Sequence, residues 1–350
     1  MIDVAIVASA QRQAAALSEI TEPELMVDLI DATRQEAGVT QDEIGFTCSG
    51  SSDFLAGQAF SFVMTLDAVG AVPPIAESHV EMDGAWALYE AWVKLQMGEI
   101  ETALVYSYGK SSPGSLRDVL ATQLDPYYVA PLWPDAFALG ALQARLMLES
   151  GTITEQRMAE IAARSHNNAV SNDHAVRRGA VSVDDMLAAP VVADPLRSSD
   201  LPAGADGGVA VILAAGDRAR SLADRPVWIR GIDHRIDAHN LSARDLTTAP
   251  SVALAGAGAG VASDKVDLAE LHGPFTHQEH LIETGLGLGG DTAINPSGGA
   301  LAGHTMMAAG LMRIAEAARR VARGDGDRAV AHATSGPLLQ QNLVCVLEGE

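Results

Sequence analysis

The turn Glu81-Met82-Asp83-Gly84 lies between a strand-like run ending at Val80 and a helical run that extends to Met97. A turn that feeds a helix N-terminus gathers unpaired N–H groups and the positive end of the helix dipole, so it suits a nucleophile or an anion. Glu81 in that place reads in two ways. As a carboxylate screened from water, with a raised pKa, it is a general base or acid. As an anion held by helix amides, it only closes the turn. Asp83 reads most simply as the helix N-cap. His304 follows Gly303 and precedes a second helical run to about Arg323, so its imidazole can polarise a carbonyl or move a proton. Its plain alternative is capping or packing. Tyr106, Tyr108, Tyr127 and Tyr128 could donate to a developing enolate or alkoxide, or pack in the core. His277 and His280 are spaced for one helix face, yet no Cys or Asp has convincing spacing to complete a metal site. The glycines of 285–291 lack the strand–turn–helix context of a dinucleotide fingerprint.

Composition bounds what these residues can serve. The 350 residues carry a formal charge of −22, which argues against nucleic acid as a partner. An anionic ligand would need a local site of backbone amides and a few cations, of which Lys110 and Arg197 are candidates. No run approaches the roughly 18 apolar residues of a membrane span. The start, Met1 to Val7, reads as a first strand rather than a signal peptide, so the expected location is cytoplasmic. Two cysteines, Cys48 and Cys345, cannot make a disulfide framework or a four-cysteine zinc site. With 48% hydrophobic residues, 4% aromatic, and 33 glycines, the chain suits helices layered on sheet with many tight turns.

The elements that would position these residues repeat at an offset of roughly 220 to 226 residues. Val4–Ala8 is matched by Val227–Gly231, and Asp42–Gly50 by Val266–Gly273. The Gly84 turn with its helix is matched by the Gly303-His304 turn with its helix, and each helix leads through Gly and acidic residues into a strand, 98–110 and 324–336. This order predicts a duplicated α/β unit, with one half over 1–225 and the other over 226–350. The first half carries a loop or lid insertion at about 111–190, rich in proline at its start and helical beyond it.

Several stretches resemble the thiolase superfamily. Residues 295–310, NPSGGALAGHTMMAAG, resemble its Asn-x-x-Gly-Gly…Gly-His block. Residues 192–213, VADPLRSSDLPAGADGGVAVIL, resemble its Ser-Asp-Pro and Asp-Gly segment. Residues 270–281, ELHGPFTHQEHL, resemble the His-Asp-Cys-Phe block of the sterol-carrier-protein-2 branch, and 103–112 matches a further strand and loop loosely. The likeness covers nearly the whole chain, and in feel it is to thiolase-like lipid-transfer proteins linked to steroid side-chain degradation. It implies the α/β thiolase fold, two duplicated halves in an α-β-α-β-α layering. It also implies that His272 holds a water or thioester oxygen. The family's nucleophile stands in a Cys-x-x-Gly turn, where this chain has Glu81; a second cysteine is replaced by Pro274, and the C-terminal Cys-x-Gly reads Thr334-Ser335-Gly336. Acyl transfer needs a thiolate at a helix N-terminus, so an ordinary thiolase reaction is not expected.

Two functions remain open on this reading, with a third behind them. One is C–C cleavage next to a CoA thioester, of retro-aldol type, with His304 and His272 as the oxyanion site and Glu81 or a lid tyrosine as base. Another is a non-catalytic subunit, and the third an acyl-CoA or lipid carrier. CoA enters only as part of the substrate, with no permanently bound cofactor and no metal expected. The resemblance implies a dimer, or a hetero-oligomer with a second thiolase-like chain or a small OB-fold zinc-ribbon chain.

Overall fold

The computed structural model describes residues 2–350. The first half runs β1 (Val4–Ala14), α1 (Glu22–Ala37), β2 (Phe46–Gly50), α2 (Asp53–Ala56), α3 (Val63–Val69), β3 (Glu77–Val80), α4 (Gly84–Gln96) and β4 (Thr102–Gly109). The insertion carries α5 (Leu116–Thr122), α6 (Ala136–Glu149), α7 (Glu155–Asn168) and α8 (Val183–Leu187), then a small ribbon of β5 (Val191–Ala193) and β6 (Leu196–Arg197). β7 (Asp206–Ala215) and α9 (Gly216–Leu222) close the half. The second half runs β8 (Val227–Ile236), α10 (Pro250–Ala259), β9 (Leu268–Glu270), α11 (Thr276–Gly285), β10 (Ala293–Ile294), α12 (Gly299–Ala302), α13 (Ala309–Arg323), β11 (Arg328–Ser335) and β12 (Gln341–Glu348).

Strand order shows the duplication directly. The ten strands are ordered β10-β9-β11-β12-β8-β1-β7-β4-β2-β3. Five belong to each half, in the same relative order and with the same directions, and antiparallel β1 and β8 join them.

Side-chain alternation explains the layers. Ala103 and Val105 of β4, Val209 and Val211 of β7, Ala331 of β11 and Cys345 of β12 all pack on α4 and α13. Their neighbours Leu104, Tyr106, Ala210 and Ile212 face α1 in the first half. In the second half, Val330, Val344 and Val346 face α10 and α11. Strands apolar on both faces need cover on both sides. The result is α1 and α3, the strands of the first half, α4 and α13, the strands of the second half, then α10 and α11. Both cysteines are fully buried inside this stack.

The halves meet closely around the central helices. A Cβ at Gly109 would lie 1.9 Å from Thr305 O, and one at Gly84 would lie 2.5 Å from Ser107 Cβ. Ser107 Oγ lies 2.6 Å from Gly50 O and 2.7 Å from Met307 O, tying β2 and β4 to the turn after His304. Asp83 caps α4 at the Ala85 amide, as its position suggested, and also accepts from the Gly310 and Leu311 amides of α13 at 2.7 and 3.0 Å. One buried carboxyl thus serves the N-termini of both central helices. Burial pushes its pKa up to about 7, against the pull of those three amides.

The expected start of the second central helix is corrected. After His304 the chain makes a turn and a single 3₁₀ turn, Met306–Ala308, and α13 begins only at Ala309. Met306 sits at φ 50, a left-handed conformation that a right-handed α-helix does not accommodate.

Candidate functional site: a buried pair of neutral histidines

β9 ends at Glu270, and His272 follows two residues later, buried. His304 reaches it from the turn between α12 and α13. Their Nε2 atoms are 2.9 Å apart, and both rings are buried. Backbone pairing fixes the His304 end: its N–H donates to Ala203 O at 2.8 Å, and its carbonyl accepts from Ala205 N at 3.0 Å. Asn295 fixes the other. Its Oδ1 accepts from Leu271 N at 2.6 Å, and its Nδ2 donates to Glu279 Oε2 at 2.8 Å. Asn295 therefore shapes the backbone, consistent with its φ of 46.

The hydrogen bonds assign the protons. His272 Nδ1 accepts from the Thr334 amide at 3.3 Å, so its own proton sits on Nε2. That proton is donated to His304 Nε2, which leaves the His304 proton on Nδ1. His304 Nδ1 has no protein partner among the described residues, so the pair offers one N–H donor. Burial lowers the His304 pKa to about 4, with Arg313 adding to it. Burial lowers His272 well below the usual range, helped by His304, His332 and Arg313. Both rings are neutral at physiological pH, as an electrophilic donor to a carbonyl oxygen should be.

A buried ion pair lies behind them. Glu270 accepts from Arg313 Nη1 at 2.9 Å and from Ser297 N and Oγ at 2.9 and 2.6 Å. No sequence motif carries this pair, nor His332, Ser107 and the Thr334 amide. The available signal was charge at apolar positions: Glu270 in a buried strand, and Arg313 and Glu316 on the buried face of α13.

Glu81 is placed otherwise than expected. Its side chain is 48% exposed, so it is not screened from water. Oε1 accepts from the Asp53 amide of α2 at 2.7 Å, and Oε2 lies 3.4 Å from His79 Nε2. The Ala85 amide of α4 is taken by Asp83, two residues later, and Glu81 serves the neighbouring short helix instead. His79 in turn lies 3.1 Å from Ser49 Oγ and stacks on Phe62. Neither His272 nor His304 is a hydrogen-bond partner of Glu81.

The tyrosines do not gather at the histidine pair. Tyr106 and Tyr108 face the α1 and α3 layer, with burial pushing Tyr106 up to about 12. Tyr127 and Tyr128 stand exposed on the insertion. Burial pushes the Cys48 thiol up to about 12 and Cys345 upward as well, so neither is a thiolate. Lys110 is bound to Ile20 O, and Arg197 to Glu155 and Ala189 O. No group of metal-binding side chains occurs among the described residues. No helix among them is long and apolar enough to cross a membrane.

His277 gives a pH-dependent prediction. It is fully buried, with no partner for either ring nitrogen, and burial lowers its pKa to about 3. The unfolded chain takes up this proton below about pH 6.5 and the folded chain does not, so stability is lost as pH falls. The expected result for His277→Phe is a gain over wild type that is about 2 kcal/mol larger at pH 5 than at pH 8. Urea unfolding at the two pH values measures it, and an equal change at both would contradict it.

The layered, duplicated architecture is the thiolase fold. No family model matches the chain. Its homologues are thiolase-superfamily proteins. Acetyl-CoA acetyltransferase of Methanothermobacter thermautotrophicus is 27% identical over 96% of this chain and 95% of its own length. Human sterol carrier protein 2 is 26% identical over 90% of this chain and 63% of its own. Among solved structures, the Ltp2-ChsH2(DUF35) aldolase superposes with a TM-score of 0.81 over 99% of this chain and 97% of that one, at 19% identity. The chain thus has the thiolase fold and is similar in sequence to thiolase-superfamily proteins.

Proposed function

We propose that the chain cleaves a carbon–carbon bond in a β-hydroxyacyl-CoA by a retro-aldol reaction, without a covalent cysteine intermediate. The observation that carries this reading is the neutral histidine pair with one N–H left to donate, in a chain whose two thiols are buried and protonated. Thiolysis needs an accessible thiolate at a helix N-terminus, and the turn ahead of α4 offers Glu81 and Asp83 instead. Retro-aldol cleavage needs only a base and an oxyanion site. The base takes the β-hydroxyl proton, and the oxygen's electrons form the carbonyl of the leaving aldehyde or ketone. The Cα–Cβ pair moves into the thioester, whose enolate oxygen is held by His304 Nδ1–H, with His272 polarising His304 from behind. The proton then returns to Cα and gives the shorter acyl-CoA. His304 and His272 are the catalytic residues of this scheme. The base of this scheme is Glu81 or a tyrosine of the insertion, neither of which contacts the histidine pair directly. The acyl group is a bulky lipid chain, steroid side chains included, CoA is carried by the substrate, and the reaction runs in the cytoplasm.

A second reading, a subunit that works only with a partner, is favoured by exposed apolar side chains in two segments. These are Phe54, Phe60, Val63 and Val72 beside the edge strand β3, and Tyr127, Tyr128, Leu132 and Trp133 on the insertion. The candidate partners are a second thiolase-like chain or a small OB-fold zinc-ribbon chain, and the aldolase neighbour's name joins two components.

One assay separates the readings. The purified chain is incubated with a bulky β-hydroxyacyl-CoA, and the shorter acyl-CoA and carbonyl product are measured. Release by the chain alone supports the first reading. Release only with a co-purifying chain supports the second, and no release in either case defeats both.

A further inference from the structure

The loop between β11 and β12 is fixed at four consecutive carbonyls, each by a different donor. Pro337 O accepts from Gln278 Nε2 at 2.9 Å, and Leu338 O from Arg244 Nη2 at 2.5 Å. Leu339 O accepts from Asn342 Nδ2 at 2.9 Å, and Gln340 O from the Asp237 amide at 2.7 Å. Leu339 itself stands at φ 59. A non-glycine residue there costs on the order of 1–2 kcal/mol and persists only where its surroundings over-determine it.

The donors are themselves tied together. Asn342 Nδ2 donates to Ser251 Oγ at 2.6 Å, and Ser251 Oγ to Asp237 Oδ2 at 2.5 Å. His332 Nε2 lies 3.0 Å from Asn342 Oδ1. Arg244 is held less well. Its nearest carboxylate, Asp237, lies 3.7 Å from Nη1, and Nε and Nη1 are buried without a hydrogen-bond partner. A buried guanidinium so poorly paired is costly, so stability alone does not explain an arginine at this place. What it does make is the bond to Leu338 O.

The loop leads to the histidine pair. Thr334, two residues before Gly336, supplies the amide that His272 Nδ1 accepts. Pro337 and Gln340 line, with Leu124, Tyr128 and Leu139, a cavity of about 50 Å³ under the insertion. A shift of the loop therefore moves a wall of that cavity and pulls on the end of β11, which carries the amide that sets the His272 tautomer.

We propose that Arg244, Asn342 and Gln278 are positioning residues that hold the Gly336–Gln340 loop so that the Thr334 amide keeps the His272 proton on Nε2. The proposal rests on the retro-aldol reading, because only there does that proton polarise the oxyanion donor. The other ionisable groups acting on His272 are His304, His332 and Arg313, and none of them is altered in the test.

The test compares wild type with Arg244→Met and Arg244→Lys, since lysine can still donate to Leu338 O. Three quantities are read: kcat and KM for a β-hydroxyacyl-CoA, the acid limb of kcat/KM, and the imidazole ¹⁵N spectrum of His272. In Arg244→Met, kcat is expected to fall about tenfold. Its acid limb is expected to move up as His272 Nδ1 becomes free to take a proton. The spectrum is expected to show both tautomers, and Arg244→Lys to recover most of the rate and the single tautomer. A purely stabilising role would lower the unfolding midpoint and leave all three quantities unchanged, which would overturn the proposal. So would a lysine variant as impaired as the methionine one. If Arg244→Met does not fold, Gln278→Met is read by the same criteria. If wild type releases no product, the retro-aldol reading fails by itself, and the ¹⁵N spectra decide whether the loop sets the tautomer.

Discussion

His304→Ala is expected to lower kcat for a β-hydroxyacyl-CoA by about 10²–10³-fold, or about 3–4 kcal/mol, with a smaller change in KM. The enolate oxygen carries its charge only in the transition state, so a donor aimed at it acts on kcat more than on binding. The removed ring is also the acceptor for His272 Nε2–H, which is left unpaired in a buried site. His272 and His304 act as one unit, so the double alanine variant should lose little beyond the single one. Steady-state kinetics of the three variants measure this. A loss below about threefold in His304→Ala, against the range for a lost oxyanion donor, would remove the pair from the mechanism.

Asp83→Ala is expected to be the most destabilising single substitution in the centre of the molecule, by about 3–5 kcal/mol. Its carboxyl is the shared acceptor for Ala85 N, Gly310 N and Leu311 N, so alanine strands three buried donors at the facing ends of α4 and α13. Asp83→Asn should recover only part of this, because one amide oxygen replaces two acceptors and the NH₂ meets a backbone N–H. Because burial raises the Asp83 pKa to about 7, the wild-type contribution is fully present below its unfolded value and is lost as pH rises through 7. The destabilisation should therefore be larger at pH 5 than at pH 8. Urea unfolding at both pH values measures it, and a loss below about 1 kcal/mol, less than one unpaired donor costs, would contradict it.

Much of the fold was legible because it is written twice. Strand, helix and glycine turn recur in one order, and order survives even where individual matches are weak. The two histidines were legible for a similar reason: each sits in a short motif with glycine beside it, His272 before Gly273 and His304 after Gly303. Their contact was not, because it joins residues 32 apart through space. The same limit hid the reach of Asp83 to residues 227 and 228 positions away. Glu81 misled for a different reason. Whether a turn carboxylate is buried depends on what packs over it, and α2 offers Glu81 an amide while leaving half of its side chain in water. Arg244 and His332 carried no local signal, since their work is done on a loop formed by the last two strands.

The central claim is that bond cleavage here runs on histidine N–H donors and not on a thiol. The most direct measurement is the cleavage rate of the Cys48→Ala, Cys345→Ala double variant on a β-hydroxyacyl-CoA, beside wild type and His304→Ala. Both cysteines lie in the central stack, so the variant's fold is checked first by its unfolding transition. A folded, cysteine-free chain that releases the shorter acyl-CoA at the wild-type rate is the predicted result. Loss of product in that variant, with His304→Ala still active, would contradict the account.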